Sequence, residues 1–342
     1  MFLSLIKHIL FKGGVDLQVE ENIQTATKKP LVCIPKKRKH FFLYEMKRNW
    51  ELYLMTIPAV VFLLVFSYYP MLGIQIAFKE YNIVDGMWKS PFVGLLYFKA
   101  FIKSRFFGQV TFNTLYLNFL FIVSMTVVSL TIALLLNEIT SSKLKKIFQT
   151  AMFFPYFISM IIVSAIVYSL LNDKYGAINA LLRSMGLQTH VWYNMPELWR
   201  GILTFINTWQ GFGYTVIIYL AVIISMNPEI YEAARTEGAS KLQEIFMITL
   251  PQLIPTIIIM TLLALGGIFK GNFGLIYTIV GDNGMLLSKT DVIDTYVFRL
   301  MRVDGSFSLA TAIGFYQSIL GFVVVLTFNK LSKLYDDSMG LF

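Results

Sequence analysis

Six stretches of this chain contain no Asp, Glu, Lys or Arg: residues 52–78, 110–137, 147–172, 201–227, 245–269 and 305–329. Each is at least 25 residues long, against the ~20 that a helix needs to cross a hydrocarbon core. Backbone in lipid has no water to bond, so such a segment must satisfy its own N–H and C=O groups, and a helix does this internally. Composition agrees. Of 342 residues, 56% are hydrophobic and 14% charged, whereas soluble domains carry about 25% charge. The expected fold is all-α, a polytopic membrane protein with six transmembrane helices.

Six crossings put both termini on one side. If that side is the cytoplasm, 17 of the 29 basic residues lie inside, six of them within 36–48 and three within 143–146. Lys and Arg retained in short inner loops set orientation, so both termini are expected in the cytoplasm. Residues 1–50 read as a cytoplasmic extension, with an interfacial helix over 1–12 and a basic–aromatic stretch at headgroup level. Residues 51–342 form the six-span domain. The net charge of +9 flanks apolar spans and favours an anionic lipid leaflet over nucleic acid.

Several kinds of chemistry are missing from the sequence. Cys33 is alone, and His8, His40 and His190 have no metal-ligand spacing. There is no GxxxxGK[ST] nucleotide loop and no Ser/His/Asp arrangement spaced for catalysis. Nor does any ionisable group stand in the spans before Lys270, although proton-coupled carriers need such groups at membrane depth. A transporter with neither an ion relay nor an ATP site must take its energy from a partner. The rival reading, a secondary carrier, would have to work without one.

What the spans do contain is neutral and polar: Asn113, Asn118, Gln149, Asn207, Gln210, Asn272 and Gln317. Amides hydrogen-bond sugar hydroxyls, but they also bridge helices, and both readings stand. Two clusters are more informative than their members. The run Trp209-Gln210-Gly211-Phe212-Gly213-Tyr214 has two glycines and is expected to interrupt the fourth span. The run Ile268-Phe269-Lys270-Gly271-Asn272-Phe273 is expected to do the same at the outer end of the fifth.

Between the fourth and fifth spans the chain turns polar, with four carboxylates and two basic residues from Glu229 to Glu244. Asn227-Pro228 suits a cap and first helical position. Gly238 permits a positive φ for a sharp turn, and Pro251 suits the first turn of the next helix. The fixed positions Glu232-Ala233-Ala234, Gly238, Ile248, Leu250 and Pro251 resemble the Glu-Ala-Ala signature of permease subunits in binding-protein-dependent ABC importers. That resemblance implies a type I importer permease fold and a cytoplasmic helix–turn–helix, within 228–251, that docks on an ATPase. It also implies the rest of the assembly. A second permease, two ATPase subunits that bind the ATP and Mg, and an extracellular or periplasmic solute-binding protein are expected in a bacterial cell membrane. This chain would hold no cofactor and perform no bond chemistry.

The first external loop, the run from Thr290 to Arg299, Phe315-Tyr316-Gln317-Ser318 and the ending Leu341-Phe342 resemble sugar-type permeases, the first permease of polysaccharide importers in particular. A non-sugar solute is the alternative. In the maltose-type permease, the matching Trp-x-Gly-x-x-Tyr run and Asn-Phe pair line the sugar site, which implies that role for Trp209, Gly211, Tyr214 and Asn272. The sequence departs from that pattern at Ile268 and Phe269, which puts the identity of the sugar in doubt.

Lys270 comes from position instead. It lies 19 residues beyond Pro251, about 28 Å along a helix and near the far edge of a ~30 Å core. It either snorkels to the outer headgroups or faces the cavity beside Asn272 and pairs with an acidic sugar.

Overall fold

The computed structural model describes residues 48–335. The expected interfacial helix over 1–12, the basic run at 36–39, Cys33 and the ending Leu341-Phe342 lie outside them. The chain divides into two compact units, 1–66 and 67–342. In the first, helix α1 (Trp50–Leu63) has no buried residue. The second holds every element from Phe78 onward. Its only β pairing among the described residues is an isolated bridge between Lys79 and Phe92.

Five helical runs are long and apolar enough to cross a membrane: Trp50–Phe78, Phe106–Asn137, Pro196–Ser225, Lys241–Leu265 and Phe307–Lys333. A bent pair makes a sixth if it is counted as one span. Where a straight third span is expected, Ser142–Phe157 and Met160–Leu171 meet at 96°. The cause is local. After α2 (Leu96–Lys103), α3 (Phe106–Asn137) and α4 (Ser142–Phe153), Pro155 tightens the chain into a 3₁₀ turn over Phe154–Phe157. Ile158 is extended (φ −77°, ψ 126°). Ser159 then restarts the helix as an N-cap, its side chain accepting from the Ile162 N–H, and α5 (Met160–Leu171) follows.

The fourth span corrects the expected interruption. After α6 (Ala177–Ser184), helix α7 (Pro196–Ser225) runs unbroken through both glycines. A glycine inside a helix costs about 1 kcal/mol relative to alanine, which packing offsets here. A Cβ on Gly213 would lie 2.1 Å from the Met152 carbonyl oxygen, so this glycine lets α7 touch the backbone just before the break. Gln210, one turn earlier, donates 2.8 Å to the Ile158 carbonyl, an acceptor freed by the bend. The two residues stand at i and i+3 on one face. What they serve is a break in the third span.

The fifth segment does break where the sequence suggests. Its helical run Lys241–Leu265 ends in turns, and Asn272 caps α10 (Phe273–Val280), its side chain accepting from the Leu275 N–H at 3.2 Å. Upstream, Pro251 stands in the first turn of the helix that begins at Leu250, as expected, but that helix continues directly from the turns before it. Helix α8 (Pro228–Thr236) is followed by a run continuous from Lys241, with a π turn over Glu244–Thr249 before α9 (Leu250–Leu265). Proline offers no N–H to the carbonyl four residues back, and the wider turn absorbs that. Another π turn, Leu64–Tyr68, precedes Pro70 in the same way.

Helices α3 and α7 run parallel. Their partners rise in step: Asn113 with Arg200, Ser124 with Thr208 at 2.8 Å, and Ser129 with the Phe212 carbonyl at 3.4 Å. Buried Leu117, Phe121, Leu203 and Ile206 fill the seam with Val163 and Val167 of α5. At the other side α11 (Ile293–Arg302) packs on α12 (Phe307–Tyr335) through Ile293, Tyr296, Leu300 and Ile313.

Candidate functional site

The polar segment after α7 folds into two helices around a tight turn. Asn227 caps α8, accepting from the Glu229 N–H at 3.0 Å. The helix ends in a Schellman closure: Ala239 N–H reaches the Ala234 carbonyl at 2.9 Å and Gly238 N–H the Arg235 carbonyl at 3.0 Å. Gly238 sits at φ +86°, a conformation that costs a side chain with a Cβ. Ser240 and Gln243 then form a capping box that starts the next helix. Ala234 thus closes the turn, while Glu232 and Ala233 stay exposed.

Across the turn Arg235 makes a two-pronged contact with Glu244, Nε–Oε1 2.7 Å and Nη2–Oε2 3.1 Å. The Glu244 side chain is 5% exposed, so this geometry satisfies a carboxylate that would otherwise be costly to bury. Lys241 reaches Glu244 at 3.4 Å and Glu138 at 3.0 Å. Glu138 is the C-cap of α3, so the turn is tied by charge to the second span. Tyr231 closes the inner side, its hydroxyl 2.9 Å from Thr249 Oγ1. Thr249 in turn donates to the Glu244 carbonyl at 3.2 Å inside the π turn. Ile248 and Leu250 are partly buried there and Pro251 is exposed. A cavity of about 330 Å³ opens between Glu138, Tyr231, Glu232, Arg235 and Glu244.

The sequence-predicted substrate residues fall into two places. Gly211 and Tyr214 share α7 with Asn207, whose Oδ1 accepts from Asn272 Nδ2 at 3.2 Å. Asn118 of α3 donates to the carbonyls of Ile268 and Lys270 at 2.9 and 3.2 Å. Three amides therefore hold the broken end of the fifth segment against α3 and α7. Tyr214 is half exposed and stacks on Tyr156, centroids 5.4 Å apart. Gly211 faces the Met125 methyl, where a Cβ would lie at 2.6 Å. Trp209 is partly buried against the core cluster that includes Leu117, Phe121 and Leu203.

Lys270 does not join them. It lines a separate cavity of about 520 Å³ with Phe269, Asp294, Gln317 and Phe322. Asp294 accepts from the Gly271 N–H and, at 2.9 Å, from Gln317 Nε2. Burial is the largest influence on this carboxyl and raises its pKa, against the pull of those two donors and the Lys270 charge. A lysine beside a carboxylate reads anions less strongly than one standing alone.

Sequence reasoning passed over Arg200. Its Nη2 donates to Asn113 Oδ1 at 2.6 Å and its Nε to the Lys289 carbonyl at 3.3 Å. Its guanidinium lies 4.7 Å from the Tyr116 ring centroid and 5.5 Å from that of Phe112. The only signal available was the spacing of Arg200 from Thr204, Asn207 and Gly211, which share one helical face.

Known proteins match both the sequence and the fold. Residues 125–335 match the family described as "Binding-protein-dependent transport system inner membrane component". Protein LplB of Bacillus subtilis (strain 168) is 33% identical over 297 residues, covering 87% of this chain and 92% of its own. The polygalacturonan/rhamnogalacturonan transport system permease protein YteP of the same organism is 32% identical, covering 90% and 95%. Among solved structures, a chain of a bacterial alginate ABC transporter, crystallised with an alginate pentasaccharide-bound periplasmic protein, superposes with a TM-score of 0.78. It is 33% identical, covering 86% of this chain and 98% of that one. The chain belongs to the family of inner-membrane components of binding-protein-dependent transport systems.

Proposed function

We propose that this chain is one of two different permease subunits in an ATP-driven importer of acidic oligosaccharides, with both termini in the cytoplasm. The observation that carries the coupling role is the Gly238 turn. It presents Glu232 and Ala233 outward on a rigid, doubly capped element fastened to the second span through Lys241 and Glu138. ATP binding and hydrolysis on two partner ATPases would move α8. The Arg235–Glu244 and Lys241–Glu138 contacts would pass that movement to α3 and to the run Lys241–Leu265, rocking the spans between outward and inward openings. Asn207, Gly211, Tyr214 and Asn272 would line the sugar path, with Trp209 supporting it. Lys270 would meet the substrate from its own cavity.

The acidic class is supported by relatives whose names carry polygalacturonan and alginate. Reconstitution with the second permease, the ATPases and the solute-binding protein tests the reading. Uptake of labelled uronate oligomers should require ATP and survive collapse of ion gradients. Uptake driven by an ion gradient without the ATPases would overturn it in favour of a secondary carrier. With Cys33 replaced, cysteines at 143 and 241 should label only from the cytoplasm, and those at 89 and 289 only from outside.

A further inference from the structure

Arg200 stands at the start of the second turn of α7, at the end opposite the coupling turn, and among the described residues its charge meets no carboxylate. Two neutral acceptors, Asn113 Oδ1 and the Lys289 carbonyl, fix the plane of its guanidinium. The group has five N–H donors, and these two bonds leave Nη1 unused among the described residues. The nearby carboxylate of Glu197 is engaged by Lys289 Nζ at 3.3 Å. Phe112 and Tyr116, stacked on each other with centroids 5.5 Å apart, flank the cation and remain 56% and 38% exposed. An oriented, partly buried guanidinium beside two accessible rings is therefore left without a counter-ion among the described residues.

The geometry points to Arg200 as the carboxylate-reading subsite for a uronate residue of the transported oligosaccharide. Phe112 and Tyr116 form the platform for that residue's apolar C–H face. Arginine's fork matches a carboxylate with two parallel bonds, stronger and more directional than neutral ones. Thr204, Asn207 and Gly211 follow Arg200 on the same face of α7 at spacings of four, three and four. A sugar chain lying along that stripe would have its acid group at Arg200 and hydroxyls within reach of the Asn207–Asn272 amides. A lipid phosphate offers similar oxyanion chemistry. It would not make the cation's effect depend on the charge of the sugar. This inference rests on the import reading above and names the residue that would enforce its acidic specificity.

The test uses the complete importer in phosphatidylcholine liposomes, with trisaccharides derived from pectate and alginate, each as free acid and as full methyl ester. The readout is the ratio of acid to ester uptake. Arg200→Gln should lower that ratio about tenfold or more, the effect of losing one charge-assisted contact. Arg200→Lys, which keeps the charge without the fork, should fall between, and it carries the test if the Gln variant does not assemble. Tyr116→Ala should reduce uptake of both forms and leave the ratio near wild type. An unchanged ratio in both Arg200 variants, or a loss equal for acid and ester, overturns the subsite. So does a loss that appears only when phosphatidylglycerol replaces part of the phosphatidylcholine, since that marks a lipid anchor. Failure of the wild type to import any of these sugars would instead bring down the import reading itself.

Discussion

The two ends of the parallel pair α3 and α7 hold their arginines in opposite ways. At the end that leads into the turn, Arg235 and Lys241 both meet carboxylates, and Lys241 joins Glu138 to Glu244 across two elements. At the other end Arg200 is held by an amide oxygen and a backbone carbonyl, with no carboxylate partner among the described residues. The ends stand about 38 Å apart along α7, by the rise of a helix over Arg200 to Ser225. Closed ion pairs transmit displacement between the elements they join. An oriented cation with spare donors waits for a ligand. Under the proposed function, the first end does mechanical work and the second does recognition.

The middle of α7, which joins the two ends, should give the largest effect when disturbed. Gly213→Ala puts a Cβ against the Met152 backbone, whereas Gly211→Ala meets only the mobile end of Met125. Overpacking costs about 1–3 kcal/mol. Gly213→Ala should therefore lie at or above the top of that range, with loss of assembled subunit, and Gly211→Ala near the bottom. Thermal unfolding of the solubilised complex checks this. Equal melting shifts would mean that Gly213 is not what lets α7 seat on the break.

Next in size is the mechanical end. Arg235→Met leaves the buried Glu244 carboxylate with Lys241 alone, and a buried acceptor that loses a charge-assisted partner is destabilised even though the arginine itself is half exposed. ATP-driven uptake should drop about tenfold, the scale of one lost charge-assisted contact, while ATP hydrolysis continues. A parallel drop in both would point to misfolding in place of uncoupling. The smallest effect belongs to Lys241→Gln. The Lys241 and Glu138 side chains are roughly half exposed, and exposed pairs contribute about 0–1 kcal/mol. A melting shift of several degrees would show that Lys241, through Glu138 and Glu244 together, contributes more than an exposed pair.

How far these regions were legible from sequence follows from how local their causes are. The spans declare themselves because exclusion of charge is written residue by residue. The turn at Gly238 is equally plain, since Asn227 and Gly238 each act within three residues of their own position. The 96° break is not. Pro155 and Ser159 lie in an unremarkable apolar run, and the bend is stabilised from α7 by Gln210 and Gly213, 52 or more residues away in sequence. The same distance explains why Gly211 and Gly213 read as an interruption of their own helix. A glycine that makes room for another segment looks identical to one that weakens its own. Lys270 drew attention by its place after an apolar run, and the Asp294 beside it lies 24 residues on. Arg200 read as the end of a loop because its acceptors, Asn113 and Lys289, are 87 and 89 residues distant.

The central claim is that the Gly238 turn contacts an ATPase, and crosslinking tests it directly. In the assembled importer, with Cys33 replaced, a cysteine at Ala233 should crosslink to an ATPase subunit carrying a cysteine in its permease-facing groove. The yield should change when ATP is bound. A cysteine at Phe112 should give no such product. A crosslink from Phe112, or none from Ala233 in a complex that still imports, would contradict the account.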